Sequence, residues 1–95
     1  MQDIYSNYYE YEAKSLRKYW DVVKQTHPGK FLSDEEFKFL IDVYLRHKSA
    51  MGTVRQNEHL FTDIVKVKRN MEENCLEVYF RNGNWWHYAA DKTWY

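Results

Sequence analysis

The chain is poor in the residues that crosslink, interrupt or anchor a polypeptide. Its one cysteine, Cys75, excludes an intramolecular disulfide. With one proline, Pro28, and three glycines, Gly29, Gly52 and Gly83, no glycine-rich loop is left to cradle a phosphate. Each glycine falls instead where a helix end or a turn needs punctuation. No stretch approaches the roughly 20 apolar residues of a membrane span. The opening residues, MQDIYSNYYE, lack the basic region and apolar run of a secretory signal. Net charge is missing too: 14 basic and 14 acidic side chains cancel, with the signs interspersed. That balance argues against a strongly basic nucleic-acid binder and against an acidic mimic of DNA. The expectation is a cytoplasmic protein with no membrane partner.

What is present is aromatic mass. Nine Tyr, five Phe and four Trp among 95 residues supply the core of one small domain spanning residues 1–95 and leave rings over for the surface. A chain of this size buries roughly 60–65% of its unfolded surface, enough for a single core.

Apolar spacing predicts a first helix over about residues 4–26, carried by Tyr5, Tyr9, Leu16, Tyr19, Trp20 and Val23. Asp3 or Ser6 is the expected cap, and Pro28 with Gly29 the stop. A second helix, about 33–50, opens on SDEEF. Ser33 and Glu36 form a capping box there, and Asp34 and Glu35 favour the positive end of the helix dipole. Its apolar stripe is Phe37, Leu40, Ile41, Tyr44 and Leu45. Arg46, His47 and Lys48 read as cations placed for the dipole's negative end. Three strands follow, about 60–69, 76–81 and 84–90, with MEEN and Asn82-Gly83 as the turns. The fold class is therefore α+β, two N-terminal helices packed on a three-stranded antiparallel β-meander.

Catalytic and metal motifs are scarce. His27, His47, His59 and His87 show no ligand spacing, so no metal and no cofactor is expected. Cys75 has Glu72, Glu73 and Glu77 as sequence neighbours, the wrong setting for a reactive thiolate. An enzyme would need a His/Cys/Glu site assembled only in space.

The densest chemistry lies in FRNGNWWHY, where adjacent tryptophans of a hairpin strand must point to opposite faces. A two-residue Asn82-Gly83 loop pairs Phe80 with Trp85 and Tyr79 with Trp86. A three-residue loop ending in Gly83 pairs Val78 with Trp86 and Tyr79 with Trp85. The second is preferred because it buries Trp86 and Tyr88, the more apolar choice. Leu76, Val78 and Phe80 face the core, with Val65 and Val67 as the inward residues of the first strand. The outer face then carries Lys66, Lys68, Glu77, Tyr79, Arg81, Trp85 and His87.

Tyr, Trp and Arg together suit a protein interface. The expected function is thus a small non-catalytic interaction domain, an adaptor, regulator or inhibitor of the kind encoded by phages and mobile elements. Its partner would be a protein contacting Lys66, Lys68, Tyr79, Arg81, Trp85 and His87. The alternative is single-stranded nucleic acid on the same basic, stacking face. An enzyme ranks third. A purely structural role for the outer rings stands beside all three, since cross-strand aromatic pairs stabilise sheets by themselves and the KTWY segment is placed to fold back over the face. Tyr5, Tyr8, Tyr9 and Tyr11 spread around the first helix and offer a second surface, suited to a homodimer.

Overall fold

A computed structural model of the chain describes the backbone of residues 4–95 and the side chains of residues 9–95. The side chains of Asp3, Tyr5, Ser6 and Tyr8, invoked above as caps and surface rings, lie outside the described residues. The order is α1 (Ile4–Thr26), α2 (Asp34–Ser49), a short α3 (Thr53–Asn57), a 3-10 turn (Phe61–Asp63), then β1 (Ile64–Asn70), β2 (Cys75–Phe80) and β3 (Trp85–Ala89). The strands form one antiparallel sheet in the order β1-β2-β3, giving the α+β meander. No helix among the described residues is long and apolar enough to cross a membrane.

Among the described residues, helix α2 supplies more buried side chains than any other element. Ser33 accepts the Glu36 backbone N–H at 3.1 Å, and the Glu36 carboxylate accepts that of Ser33 at 2.8 Å, so the capping box forms in full. Glu36 also receives both ends of the Arg69 fork, at 2.6 and 2.8 Å, tying the helix start to β1. That guanidinium, then the cap, lower the Glu36 carboxyl from its ordinary value to about 2. The buried stripe is Phe37, Leu40, Ile41, Tyr44 and Leu45, as the spacing predicts, with Val43, His47 and Lys48 added. The first-strand candidate begins late: Leu60 and Phe61 belong to the turn before β1, where Asp63 accepts the Leu60 N–H.

Arg46, His47 and Lys48 fall in the last turn of α2, as expected, but His47 and Lys48 do not face solvent there. Both are buried. Lys48 Nζ donates to Glu12 Oε1 at 2.6 Å and to the Tyr44 hydroxyl at 3.1 Å. The Tyr44 hydroxyl stands 2.9 Å from Glu12 Oε1 and 2.7 Å from the His59 carbonyl oxygen. Glu12 Oε2 accepts the Phe61 N–H at 3.0 Å. One buried network therefore joins α1, α2 and the connection into β1. Burial raises the Tyr44 phenol far above its ordinary range, with Glu12 adding to the effect.

The other buried histidines are also structural. His27 stacks on Phe61 at 4.2 Å, its Nε2 donates to the Phe61 carbonyl at 3.2 Å, and its Nδ1 accepts the Gly29 N–H at 2.9 Å. Gly29 sits where it does because a Cβ there would press on His27 and Leu40, each at 3.2 Å. His59 donates from Nδ1 to the Arg55 carbonyl at 2.7 Å and receives the Asn84 amide at 3.0 Å, pinning the β2–β3 turn.

The strand register follows the three-residue loop: Tyr79 pairs with Trp85 and Val78 with Trp86, and Gly83 takes a φ of 94° that suits only glycine. Trp86 packs against His47, His59 and Phe80, while Tyr88 is fully buried with its hydroxyl 2.9 Å from His47 Nδ1. Strand β1 departs from the expected pattern. A bulge between Ile64 and Lys66 makes Val65 an extra residue, 46% exposed, and Ile64 takes its place in the core with Val67. The segment after β3 returns along that strand. His87 and Tyr95 exchange backbone hydrogen bonds at 2.8 and 3.1 Å, and Trp94 stacks on His47 at 5.0 Å.

Two outcomes follow from the buried polar groups. Lys48→Met should cost about 3–5 kcal/mol in urea denaturation, because it strands the Glu12 carboxylate; a loss below about 1 kcal/mol would mean that water replaces the ammonium. Burial lowers His27 and His47 from the ordinary 6.5 to about 4. The unfolded chain then takes up protons first as pH falls. Their contribution is intact above pH 6.5 and should be lost towards about pH 4, on the order of a few kcal/mol in total. The Glu36 carboxyl acts at still lower pH, below its ordinary 4.5. Equal stability at about pH 7 and about pH 5 would contradict the histidine assignment.

Candidate functional site

The outer sheet face is built from alternate residues of each strand, because pleating sends Val67, Val78 and Trp86 inward and their neighbours outward. Pairing aligns Lys66 with Tyr79 and Trp85, and Lys68 with Glu77 and His87. The rings then form a continuous row. Tyr79 and Trp85 stack at 5.1 Å with 13° between planes. Trp85 lies 5.0 Å from His87, tilted by 50°. His87 stacks on Tyr95 at 4.6 Å and 6°. At the β1 end, the Lys66 ammonium sits 5.3 Å over the Tyr79 ring. Trp85 remains 46% exposed and Tyr95 59%, so the row presents a broad apolar surface.

Polar groups fix these rings. The Tyr79 hydroxyl donates to Glu77 Oε1 at 2.6 Å, and Glu77 Oε2 accepts the Asn70 amide at 3.0 Å. The Tyr79 hydroxyl bond, followed by that of Asn70, lowers the Glu77 carboxyl, and the same bond raises the Tyr79 phenol. Lys66 and Lys68 are exposed beside them. Arg81 is directed elsewhere: its guanidinium lies 3.6 Å from Asp63 and 3.4 Å from the Thr62 carbonyl, beside the start of β1. Of the six residues singled out from the sequence, Lys66, Tyr79, Trp85 and His87 thus share one row. Lys68 flanks it, and Arg81 stands at its margin.

Tyr95 completes the row and was not among the expected site residues, although the fold-back of KTWY was anticipated. Beyond it, the face carries a second cluster that the sequence spacing does not announce. Glu73, Cys75 and His87 bring a carboxylate oxygen, the thiol sulfur and a ring nitrogen within 4.8 Å of one another. His87 Nε2 is 3.4 Å from Glu73 Oε2, and the Tyr95 hydroxyl donates to the same oxygen at 3.2 Å. Burial, then Glu73, raise the Cys75 thiol above its ordinary value. A thiol so placed is a poor nucleophile near neutral pH.

Two other surfaces are less organised. An open groove of about 390 Å³ runs between the start of α2 and the Asn70–Cys75 end of the sheet, lined by Glu36, Phe39, Arg69, Met71 and Leu76 among others. Of its charged groups, Glu36 and Arg69 are paired with each other. On α1, the Tyr9 hydroxyl donates to the Leu45 carbonyl at 3.0 Å, whereas Tyr11, Tyr19 and Val22 are exposed.

Comparison with protein-family models, with curated proteins and with solved structures found no match.

A stacked cross-strand pair should couple energetically. A double-mutant cycle on Tyr79→Ala and Trp85→Ala should return about 0.5–1.5 kcal/mol of interaction in thermal or urea unfolding. A coupling near zero would mean that the rings do not stack in solution.

Proposed function

We propose that the domain is a non-catalytic binding module whose outer sheet face docks an acidic-rimmed apolar patch of another protein. The observation that supports this reading is the stacked, half-exposed row Tyr79–Trp85–His87–Tyr95. Large rings held rigid by their neighbours lose little freedom on binding, and Tyr and Trp are the side chains that most often anchor interfaces. The β1 side of the face, where the two lysines lie, favours an acidic rim on the partner there. Glu77 is engaged by Tyr79 and Asn70, while Lys66 and Lys68 stay exposed.

The ring geometry weighs against single-stranded nucleic acid. Base stacking needs a free aromatic face. Tyr79 has Trp85 on the β3 side and the Lys66 ammonium over its ring, and His87 is covered by Tyr95. Within the row only Tyr95, at its end, is stacked on one side alone, so successive bases have no run of free faces to occupy. The unfavourable environment of Cys75 likewise favours binding over catalysis.

Affinity capture from the native host should recover a protein partner with the wild-type chain. Tyr79→Ala with Trp85→Ala should lose it while circular dichroism stays unchanged. Changing Lys66 and Lys68 to Ala should mainly slow association, since peripheral charges steer encounter. Fluorescence anisotropy with single-stranded oligonucleotides supplies the opposing outcome. Tight binding that weakens steeply with salt and drops on loss of the lysines would replace the protein partner by nucleic acid.

A further inference from the structure

We infer that Glu73, Cys75 and His87 form a metal site of the zinc type at the end of the outer sheet face. The three potential ligand atoms already lie within 4.8 Å of one another. The backbone explains why. Glu77 pairs with His87, so Cys75, two residues before Glu77, lies diagonally across from the imidazole on the same face. Between Glu73 and Cys75, Asn74 adopts a left-handed φ of 52°, which turns the chain back on itself before β2. The Glu73 N–H is held in that turn by Asn70 Oδ1 at 3.0 Å.

The imidazole is oriented as a ligand. Its Nε2 faces Glu73 Oε2 at 3.4 Å, while Nδ1 lies 3.4 Å from the Tyr95 carbonyl oxygen. A backbone carbonyl on the far ring nitrogen is the usual outer support of a metal-bound histidine, fixing tautomer and ring plane. Stacking on Tyr95 at 4.6 Å holds the same plane. Glu77, a second carboxylate on this face, is engaged by Tyr79 and Asn70, which leaves Glu73 as the acidic ligand.

The donor set selects the metal. Thiolate, imidazole and carboxylate together suit Zn²⁺ and disfavour the oxygen-seeking Mg²⁺ and Ca²⁺. Bonds of about 2.0–2.3 Å in a tetrahedron put ligand atoms roughly 3.3–3.8 Å apart. The His87–Glu73 separation is already in that range, and the half-exposed Glu73 side chain has room to follow the sulfur. Three protein ligands leave a fourth position for water, beside the Tyr95 hydroxyl that already contacts Glu73. The metal would clip the β1–β2 turn, β2 and β3 together. This inference stands apart from partner binding, because its readouts need no partner.

The test uses the full chain, stripped with a chelator and titrated with Zn²⁺ and with Co²⁺. Calorimetry should show one equivalent of Zn²⁺, and thermal unfolding should move upward with added metal. Co²⁺ should give a thiolate-to-cobalt charge-transfer band in the near ultraviolet and tetrahedral ligand-field bands in the visible. Cys75→Ser should remove the charge-transfer band. His87→Ala should weaken Zn²⁺ binding by more than the roughly 10- to 100-fold typical of losing an outer-shell partner. Glu72→Gln, next in sequence but outside the cluster, should leave binding unchanged. Absence of stoichiometric binding, a cobalt spectrum without the thiolate band, or wild-type affinity in Cys75→Ser would overturn the site. The cobalt spectrum of the unmodified chain decides even where a variant fails to fold.

Discussion

The fold depends on the ion pair between Lys48 and Glu12. An ammonium buried at the end of α2 demands a carboxylate, and α1 delivers one at 2.6 Å. The same carboxylate takes the Phe61 N–H with its other oxygen. A single acidic side chain thereby sets the position of α1 on α2 and the point at which the chain enters the sheet. Buried pairs of this kind add little net stability compared with apolar packing, but they penalise any arrangement that separates the partners. Specificity of docking is the more fitting description of what Lys48 contributes here.

The sheet inherits its register from two local irregularities. Gly83 closes a three-residue loop that a side chain at its φ would strain, and this places Trp86 inward and Trp85 outward. The bulge at Val65 then lets both Ile64 and Val67 reach the core, although an odd spacing of three would put them on opposite faces of a regular strand. Lys66 is consequently aligned with Tyr79, and the ring row acquires its cationic end.

Much of this was legible from residue order because it rests on local rules. The capping box at Ser33 and Glu36 needs only a spacing of three, and the choice between tryptophans needs only the pleat and the greater apolarity of Trp86 and Tyr88. The bulge was not legible, since IVKVK alternates well enough to suggest Val65 and Val67 as partners inside. Lys48 gave no sign of burial through its charge, which fits the end of a helix dipole. Its position four residues after Tyr44 nevertheless continues the buried stripe, and that was the available signal. Arg81 was assigned to the ring face by strand parity, which says nothing of Asp63 waiting beside the start of β1. The Glu73–Cys75–His87 cluster has no sequence spacing of its own. It exists only through the pairing of Glu77 with His87, so it becomes visible once the hairpin register is known.

The returning segment from Thr93 to Tyr95 bears on how the protein behaves in a crowded solution. Strand β3 carries Trp85, Trp86, His87 and Tyr88 in succession, and its outer backbone groups would otherwise form an open ledge of strongly β-prone sequence. The return bonds to His87 and Ala89 and lays Trp94 on one side and Tyr95 on the other. At the opposite rim, the bulge and the lysines of β1 discourage strand addition by other means. The sheet is thus guarded by geometry and charge on one flank and by self-pairing on the other. Loss of the self-pairing would turn an aromatic strand into a template for amyloid-like stacking between copies.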